Sequence, residues 1–108
     1  MNISQTTDDY AVAPQIFPDD ITVLAEHGFV TIICNRPDGE EPGQPSAAEI
    51  AAACDAAGLA FHHIPVSVMP IAIEFIQEQR RLIIESDGMV LGYCRSGQRS
   101  QIIWSASA

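Results

Sequence analysis

Two continuous apolar runs constrain the fold of this chain more than any other feature. Residues 29–34 and 89–94 carry aliphatic, aromatic and β-branched side chains without the regular polar–apolar alternation of a half-exposed strand. Such runs are typical of strands that are buried on both faces. A sheet built from them needs a layer of helices on each side, so the two runs favour an α/β fold.

The segments around these runs alternate between helix and strand patterns. Helices are predicted for residues 18–28, 46–58, 70–86 and 99–106, and further strands for residues 59–66 and, as a short edge strand, for residues 10–13. Prolines or a Ser46–Glu49 capping box start three of the helices, and glycines end the first two. The alternation predicts one domain over residues 1–108, with a mostly parallel central sheet and helices on both faces.

The charge of the chain argues against nucleic acid as a partner. The formal net charge is −9 at pH 7, so most of the surface repels a polyanion. All five cationic side chains are arginines, and Arg95 and Arg99 both follow Cys94 closely. This local concentration of positive charge in an acidic chain favours a small anionic ligand near Cys94.

The cysteines and the N-terminal segment indicate a reducing, cytoplasmic compartment, and the cysteines and histidines indicate no metal site. Cys34, Cys54 and Cys94 are odd in number and widely spaced, which fits neither a disulfide framework nor a zinc site. His62 and His63 are neighbours in a predicted strand, so their side chains point to opposite faces and cannot chelate one metal together. The N-terminal residues do not resemble a secretory signal, and no apolar run approaches the roughly 20 residues of a membrane span. We therefore expect a cytoplasmic protein without a metal, a cofactor or a membrane segment.

The segment from Cys94 to Ser100 has the pattern of an anion site. Cys94 ends a buried strand, a glycine permits a tight turn, and Arg99 and Ser100 begin a helix. Backbone N–H groups in such a turn and the helix dipole form a nest for an anion, and an arginine adds two charge-assisted hydrogen bonds. The same positive potential favours a reactive thiolate at Cys94, to which Ser100 can donate a hydrogen bond. The predicted anion-binding residues are Arg95, Ser96, Gly97, Gln98 and Arg99.

The other two cysteines are predicted to be core residues. Cys34 and Cys54 each lie on an apolar face of a predicted strand or helix. A free cysteine in such a place packs as a small hydrophobic side chain. We therefore expect Cys94 to be the one reactive thiol.

Several short segments spread along the chain carry a family resemblance. They are Gln15-Ile16, Gly28-Phe29, residues 35–40 (NRPDGE), Ile64-Pro65-Val66 and residues 93–100 (YCRSGQRS). With them the chain resembles the phosphatase-like domain of β-lactamase-hydrolase-like proteins, a domain also found fused to metallo-β-lactamase-type hydrolases. The resemblance implies a fold similar to that of dual-specificity and tyrosine phosphatases, with Cys94 as nucleophile and Arg99 as the phosphate-binding arginine. It also implies a small anionic or phosphorylated substrate, and a fused or associated metallo-hydrolase domain as a partner.

The loop after Cys94 departs from the pattern of the cysteine phosphatases. Those enzymes separate the cysteine and the arginine by five residues, whereas only four, residues 95–98, lie between Cys94 and Arg99. Tyr93 stands where they usually carry histidine, and residues 67–69 contain no aspartate that could act as a general acid. A short loop of the form CRSG-x-RS is just as similar to the active loop of rhodanese-type sulfurtransferases.

Three functions remain open on this basis. The first is a cysteine-dependent phosphatase-like hydrolase, in which Cys94 attacks an anionic group held by Arg99 and the loop N–H groups. The second is a sulfurtransferase, in which Cys94 carries a persulfide between a sulfur donor and an acceptor. The third is a non-catalytic anion-binding module. The whole-chain resemblance favours the first function, and the short loop and the missing acid favour the second.

An acidic loop between the second strand and the second helix could supply the missing acid. Asp38, Glu40 and Glu41 lie there, at the same carboxyl-end edge of a parallel sheet as Cys94. Asp38 is the predicted choice for a general acid, because its proline and glycine neighbours restrain the loop. The alternative is a solvated loop without a catalytic role. Arg36 is predicted to pair with these carboxylates rather than to bind substrate.

Overall fold

The structure, a computed structural model, describes residues 1–106. This part of the chain forms one sheet with helices on both of its faces. Its strands are β1 (Ser4–Gln5), β2 (Tyr10–Ala13), β3 (Phe29–Cys34), β4 (Ala60–His63) and β5 (Met89–Tyr93), and its helices are α1 (Asp20–Glu26), α2 (Ala47–Ala57), α3 (Ile73–Glu85) and α4 (Gln98–Ala106). The predicted α/β class is confirmed. Ser107 and Ala108, the end of the predicted domain, lie outside the described residues.

The strand order places β5 in the middle of the sheet. The order is β1-β2-β5-β3-β4, and every neighbouring pair is parallel except β1 with β2. The predicted mostly parallel sheet is therefore confirmed. Because β5 lies between β2 and β3, Cys94, which follows β5, lies at the centre of the carboxyl-end edge, where ligands bind in such sheets.

The prediction that residues 10–13 form an edge strand is wrong. Strand β2 is paired on both sides, with β5 in parallel and with β1 in antiparallel orientation, and all four of its residues are buried. Strand β1 has only two residues, too few to show a period in the sequence. The strand predicted for residues 59–66 is also shorter, because β4 ends at His63.

Each face of the sheet carries its own core. On one face, α1 and α2 bury Ile21, Leu24 and Ile50 against the sheet, and we call this the first core. On the other face, α3 and α4 bury Ile83 and Ile103, which belong to the second core. The predicted capping box at the start of α2 is present, since Ser46 accepts from the Glu49 backbone and the Glu49 carboxylate accepts from the Ser46 backbone. The two layers leave the carboxyl-end loops of the sheet as the place for a site.

Gly92 makes room for a polar side chain within the second core. A Cβ added at Gly92 would overlap the Tyr10 hydroxyl. That hydroxyl donates to the Ser100 carbonyl at 2.9 Å and accepts from Gln79 Nε2 at 3.0 Å. The absence of a side chain at Gly92 therefore allows Tyr10 of β2 to link α3 with α4.

We predict that Gly92→Ala lowers the free energy of unfolding by about 1–3 kcal/mol, the usual cost of overpacking a core. Denaturant unfolding of Gly92→Ala, Tyr10→Phe and the double variant measures this. Removing the hydroxyl relieves part of the overlap, so the loss in the double variant should be smaller than the sum of the two single losses. Additive losses would contradict the contact between these two residues.

Candidate active site

The turn between β5 and α4 brings Cys94 into contact with the backbone of its own loop. Cys94 is fully buried, and its Sγ accepts a hydrogen bond from the Gly97 N–H at 3.1 Å. Gly97 has a φ of +91°, and a Cβ added there would lie 3.3 Å from the Ala13 backbone carbon. The left-handed φ and this close approach to the end of β2 explain why glycine occupies the position.

Backbone hydrogen bonds tie the same loop to the segment after β2. The Cys94 N–H donates to the Ala13 carbonyl at 3.4 Å, and the Gln15 N–H donates to the Arg95 carbonyl at 3.3 Å. These bonds hold the ends of the turn while its outer part faces solvent. Of the predicted anion-binding residues, Arg95, Ser96 and Gln98 are exposed, Gly97 is buried, and the Arg99 side chain is 21% exposed.

The Arg99 guanidinium is held by a carboxylate and a carbonyl. Its Nη1 donates to Glu40 Oε2 at 2.8 Å and to the Val66 carbonyl at 2.9 Å, and its Nη2 donates to Glu40 Oε1 at 2.7 Å. The hydrogen bonds to Glu40 raise the pKa of Arg99, and the nearby Cys94 acts in the same direction. Arg99 is therefore a fixed cation beside the sulfur atom.

Glu40 is shared between two arginines. Besides its two bonds to Arg99, its Oε1 accepts from Arg36 Nε at 2.8 Å. The hydrogen bonds from Arg99 lower the pKa of Glu40 to about 2, against the opposing effect of burial and with further help from Arg36. The carboxyl group is thus ionised at neutral pH and has no proton to donate.

The buried side chain of Arg36 anchors the acidic loop that follows β3. Its side chain is only 1% exposed and donates to Glu40, to Glu41 Oε1 at 3.0 Å and to Gln15 Oε1 at 2.9 Å. The prediction that Arg36 pairs with the loop carboxylates is confirmed. Glu41 also approaches Arg95, with 3.7 Å between Oε2 and Nη2. Sequence reasoning gave Glu40 no specific role, because nothing in a proline-rich loop indicates which of three acidic residues turns toward the arginines.

Asp38 lies at the start of α2 rather than among the arginines. Its Oδ1 accepts a hydrogen bond from the Ala47 N–H at 2.8 Å. Ala47 is the first residue of the helix, so the carboxylate satisfies an N–H group that has no partner within the helix. The role of Asp38 as a general acid stays a prediction.

Ser100 belongs to a buried polar network behind the turn. Its hydroxyl donates to Asn35 Oδ1 at 2.8 Å, and Gln79 Nε2 donates to the same oxygen at 3.1 Å. Asn35 Nδ2 in turn donates to Gln79 Oε1 at 2.6 Å. The predicted hydrogen bond from Ser100 to a Cys94 thiolate would require the hydroxyl to rotate away from Asn35, and it stays a prediction. Gln79 carries a signal that sequence reasoning missed: a polar residue within the apolar stripe of the third helix.

The remaining cysteines lie in the first core, as expected. Cys34 is 2% exposed and Cys54 is fully buried. Burial raises the pKa of the Cys34 thiol, and it raises that of Cys54 to about 11. Both thiols are therefore protonated at neutral pH, which supports their assignment to packing.

Almost the whole chain matches one known protein family. The family model of the beta-lactamase hydrolase-like protein, phosphatase-like domain, matches residues 2–108. The chain belongs to this family. Among the curated members, a beta-lactamase hydrolase-like protein of Xylella fastidiosa is 36% identical over 107 residues, which are 99% of this chain and 25% of the relative. The chain thus spans about a quarter of the length of the curated relatives it matches.

Solved structures show the same architecture. The crystal structure of a candidate phosphatase from Neisseria meningitidis has a TM-score of 0.87 and 38% identity, covering 96% of this chain and 74% of that one. The core catalytic domain of a PP-IP phosphatase from S. cerevisiae has a TM-score of 0.72 at 15% identity, covering 95% and 62% of the two chains. This phosphatase-like domain therefore has the fold of the cysteine phosphatases.

None of the helices within residues 1–106 is long and apolar enough to cross a membrane.

We predict that iodoacetamide alkylates Cys94 faster than Cys34 and Cys54 in the folded protein. All three side chains are buried, so exposure does not favour Cys94, whereas the Gly97 N–H and Arg99 lie beside Cys94 alone. Peptide mass spectrometry of timed samples measures the three rates. As a control, the rates should converge in guanidinium chloride, and equal rates in the folded state would contradict a special role for Cys94.

Proposed function

We propose that Cys94 is the nucleophile of a sulfur-transfer reaction, in which it takes a sulfane sulfur from an anionic donor such as thiosulfate. The observation that carries this proposal is the geometry of Glu40, whose two carboxylate oxygens accept hydrogen bonds from Arg99 and Arg36. This carboxyl group binds Arg99, and its pKa of about 2 keeps it ionised. A reaction at Cys94 that needs no proton from the protein therefore suits this site best.

The proposed reaction proceeds in two steps. The Cys94 thiolate attacks the outer sulfur of thiosulfate, the S–S bond breaks, and sulfite leaves with the bonding electron pair. The product is a persulfide anion on Cys94. A thiolate acceptor then attacks the outer sulfur, becomes a persulfide itself and regenerates the Cys94 thiolate. Sulfite and thiolate leave as stable anions, so no general acid is required.

The chain's own residues hold the anionic groups during these steps. Arg99 and the loop N–H groups lie beside Cys94 and would bind the sulfonate oxygens of the donor before attack. The Gly97 N–H already points at Sγ and would stabilise negative charge on the sulfur. The four residues between Cys94 and Arg99 make a smaller cradle than the five of the cysteine phosphatases, which suits a single sulfur atom as the transferred group.

Hydrolysis of a phosphate monoester is the second candidate, and the family membership and the fold support it. In that reaction Cys94 attacks phosphorus, Arg99 holds the phosphoryl oxygens, and water cleaves the phosphocysteine. The alkoxide leaving group needs a proton from a general acid. Asp38 is the candidate acid, and its Oδ1 is already engaged by the Ala47 N–H at the start of α2. We therefore expect phosphatase activity at Cys94 to be slow.

Intact mass spectrometry after incubation with thiosulfate or with an aryl phosphate separates the two candidates. We predict that thiosulfate adds the mass of one sulfur atom to the wild type and that cyanide removes it. The Cys94→Ser variant should gain nothing. A phosphorylated wild type, with no mass gain from thiosulfate, would contradict sulfur transfer and favour the phosphatase.

Asp38→Asn serves as a further control. It weakens the acceptor at the start of α2, so the melting temperature should fall, while sulfur transfer per folded molecule should persist. If Asp38→Asn instead abolished turnover of the aryl phosphate and left the fold intact, Asp38 would be the general acid of a phosphatase.

A further inference from the structure

Glu40 occupies one edge of the Arg99 guanidinium and leaves the other edge open. A guanidinium carries five N–H groups in one plane. Glu40 accepts from Nη1 and Nη2, and the Val66 carbonyl accepts from Nη1 as well. The Nε–H and the second Nη2 hydrogen, which together form the side-on edge, take no part in these bonds, and the Cys94 side chain lies within hydrogen-bonding reach of Arg99. That edge can bind two oxygen atoms of an oxyanion.

The anchoring of Glu40 shows that it is a fixed part of the site rather than a mobile plug. Its carboxylate is also bound by Arg36, which is almost fully buried. Its backbone N–H donates to Gln44 Oε1 at 3.0 Å, and Gln44 Nε2 donates to the Pro37 carbonyl at 2.9 Å. An anion that displaced Glu40 from Arg99 would have to break this set of contacts and leave Arg36 with less compensation for its buried charge.

Val66 supplies a second fixed point for Arg99. Its carbonyl accepts from Nη1, and its own N–H donates to the Asn35 carbonyl at 3.0 Å, so this segment continues the hydrogen bonding of β3. A carboxylate and a carbonyl on two different loops therefore define the plane and the rotation of the guanidinium. An arginine held at three N–H groups loses little further side-chain entropy when an anion binds.

We infer that Glu40 is a positioning residue, which turns the open edge of Arg99 toward the anionic group that reacts at Cys94. The inference rests on the proposed function, because it assigns Glu40 a part in the same reaction. Glu40 itself touches neither the sulfur nor the donor. Its effect on the reaction is exerted through Arg99, whose two remaining N–H groups are aligned before the substrate arrives.

The test compares Glu40→Gln with Glu41→Gln as a matched control. Both variants remove one negative charge, and both residues pair with Arg36, but only Glu40 contacts Arg99. We predict that Glu40→Gln lowers kcat/KM for thiosulfate by about tenfold or more, as expected for a misplaced binding group. Glu41→Gln keeps a side-chain oxygen that can accept from Arg36 and leaves both Glu40 bonds to Arg99 in place, so it should stay within about twofold of the wild type.

A second readout does not depend on turnover. In a Cys94→Ser background, the NMR signal of the Arg99 Nε–H should shift, and its exchange with water should slow, when sulfate is added. Adding Glu40→Gln should weaken sulfate binding and broaden that signal, whereas adding Glu41→Gln should not. If Glu40→Gln does not fold, Glu40→Asp, which keeps the charge but shortens the side chain, should give the same losses.

Two results would overturn the inference. Tighter sulfate binding with undiminished turnover in Glu40→Gln would show that Glu40 competes with the anion. Equal losses in Glu40→Gln and Glu41→Gln would show an effect of net charge rather than of position. A wild type that transfers no sulfur would instead contradict the proposed function, and the NMR comparison would still decide whether Glu40 positions Arg99.

Discussion

The carboxylate of Glu40 lies between two guanidinium groups, and the geometry of the site depends on this arrangement. Arg36 is almost fully buried, so its charge must be compensated within the protein. Glu40 and Glu41 provide this compensation, and they thereby fold the loop after β3 over the carboxyl-end edge of the sheet. The same Glu40 carboxylate then binds Arg99, so the requirement of one buried arginine determines where the second arginine points.

The turn between Cys94 and the start of α4 depends on the buried polar network behind it. The start of α4 is held by Ser100, whose hydroxyl binds Asn35 and whose carbonyl accepts from Tyr10. Tyr10 reaches that carbonyl because Gly92 lacks a side chain. A polar network that is fully hydrogen-bonded allows only a narrow set of arrangements. The turn that carries Cys94 is therefore set by packing far from solvent, and under the proposed function its N–H groups would be in place before an anion binds.

The features with a regular period or a fixed spacing could be predicted from the sequence. The apolar runs of β3 and β5 indicated the sheet, and the close spacing of Cys94, Gly97 and Arg99 indicated the turn. Strand β1 was missed because two residues show no period. The partner of Arg99 was missed for another reason: loop residues 38–41 present three carboxylates, and only the three-dimensional position of buried Arg36 decides that Glu40 turns inward while Asp38 caps α2.

The crystal structure of the protein after treatment with thiosulfate would test the central claim most directly. We predict one additional sulfur atom bonded to Cys94 Sγ, in contact with the loop N–H groups and the open edge of Arg99. The two hydrogen bonds between Arg99 and Glu40 should remain as they are in the unmodified protein. An unmodified Cys94, or an anion bound to Arg99 in the place of the Glu40 carboxylate, would contradict the account.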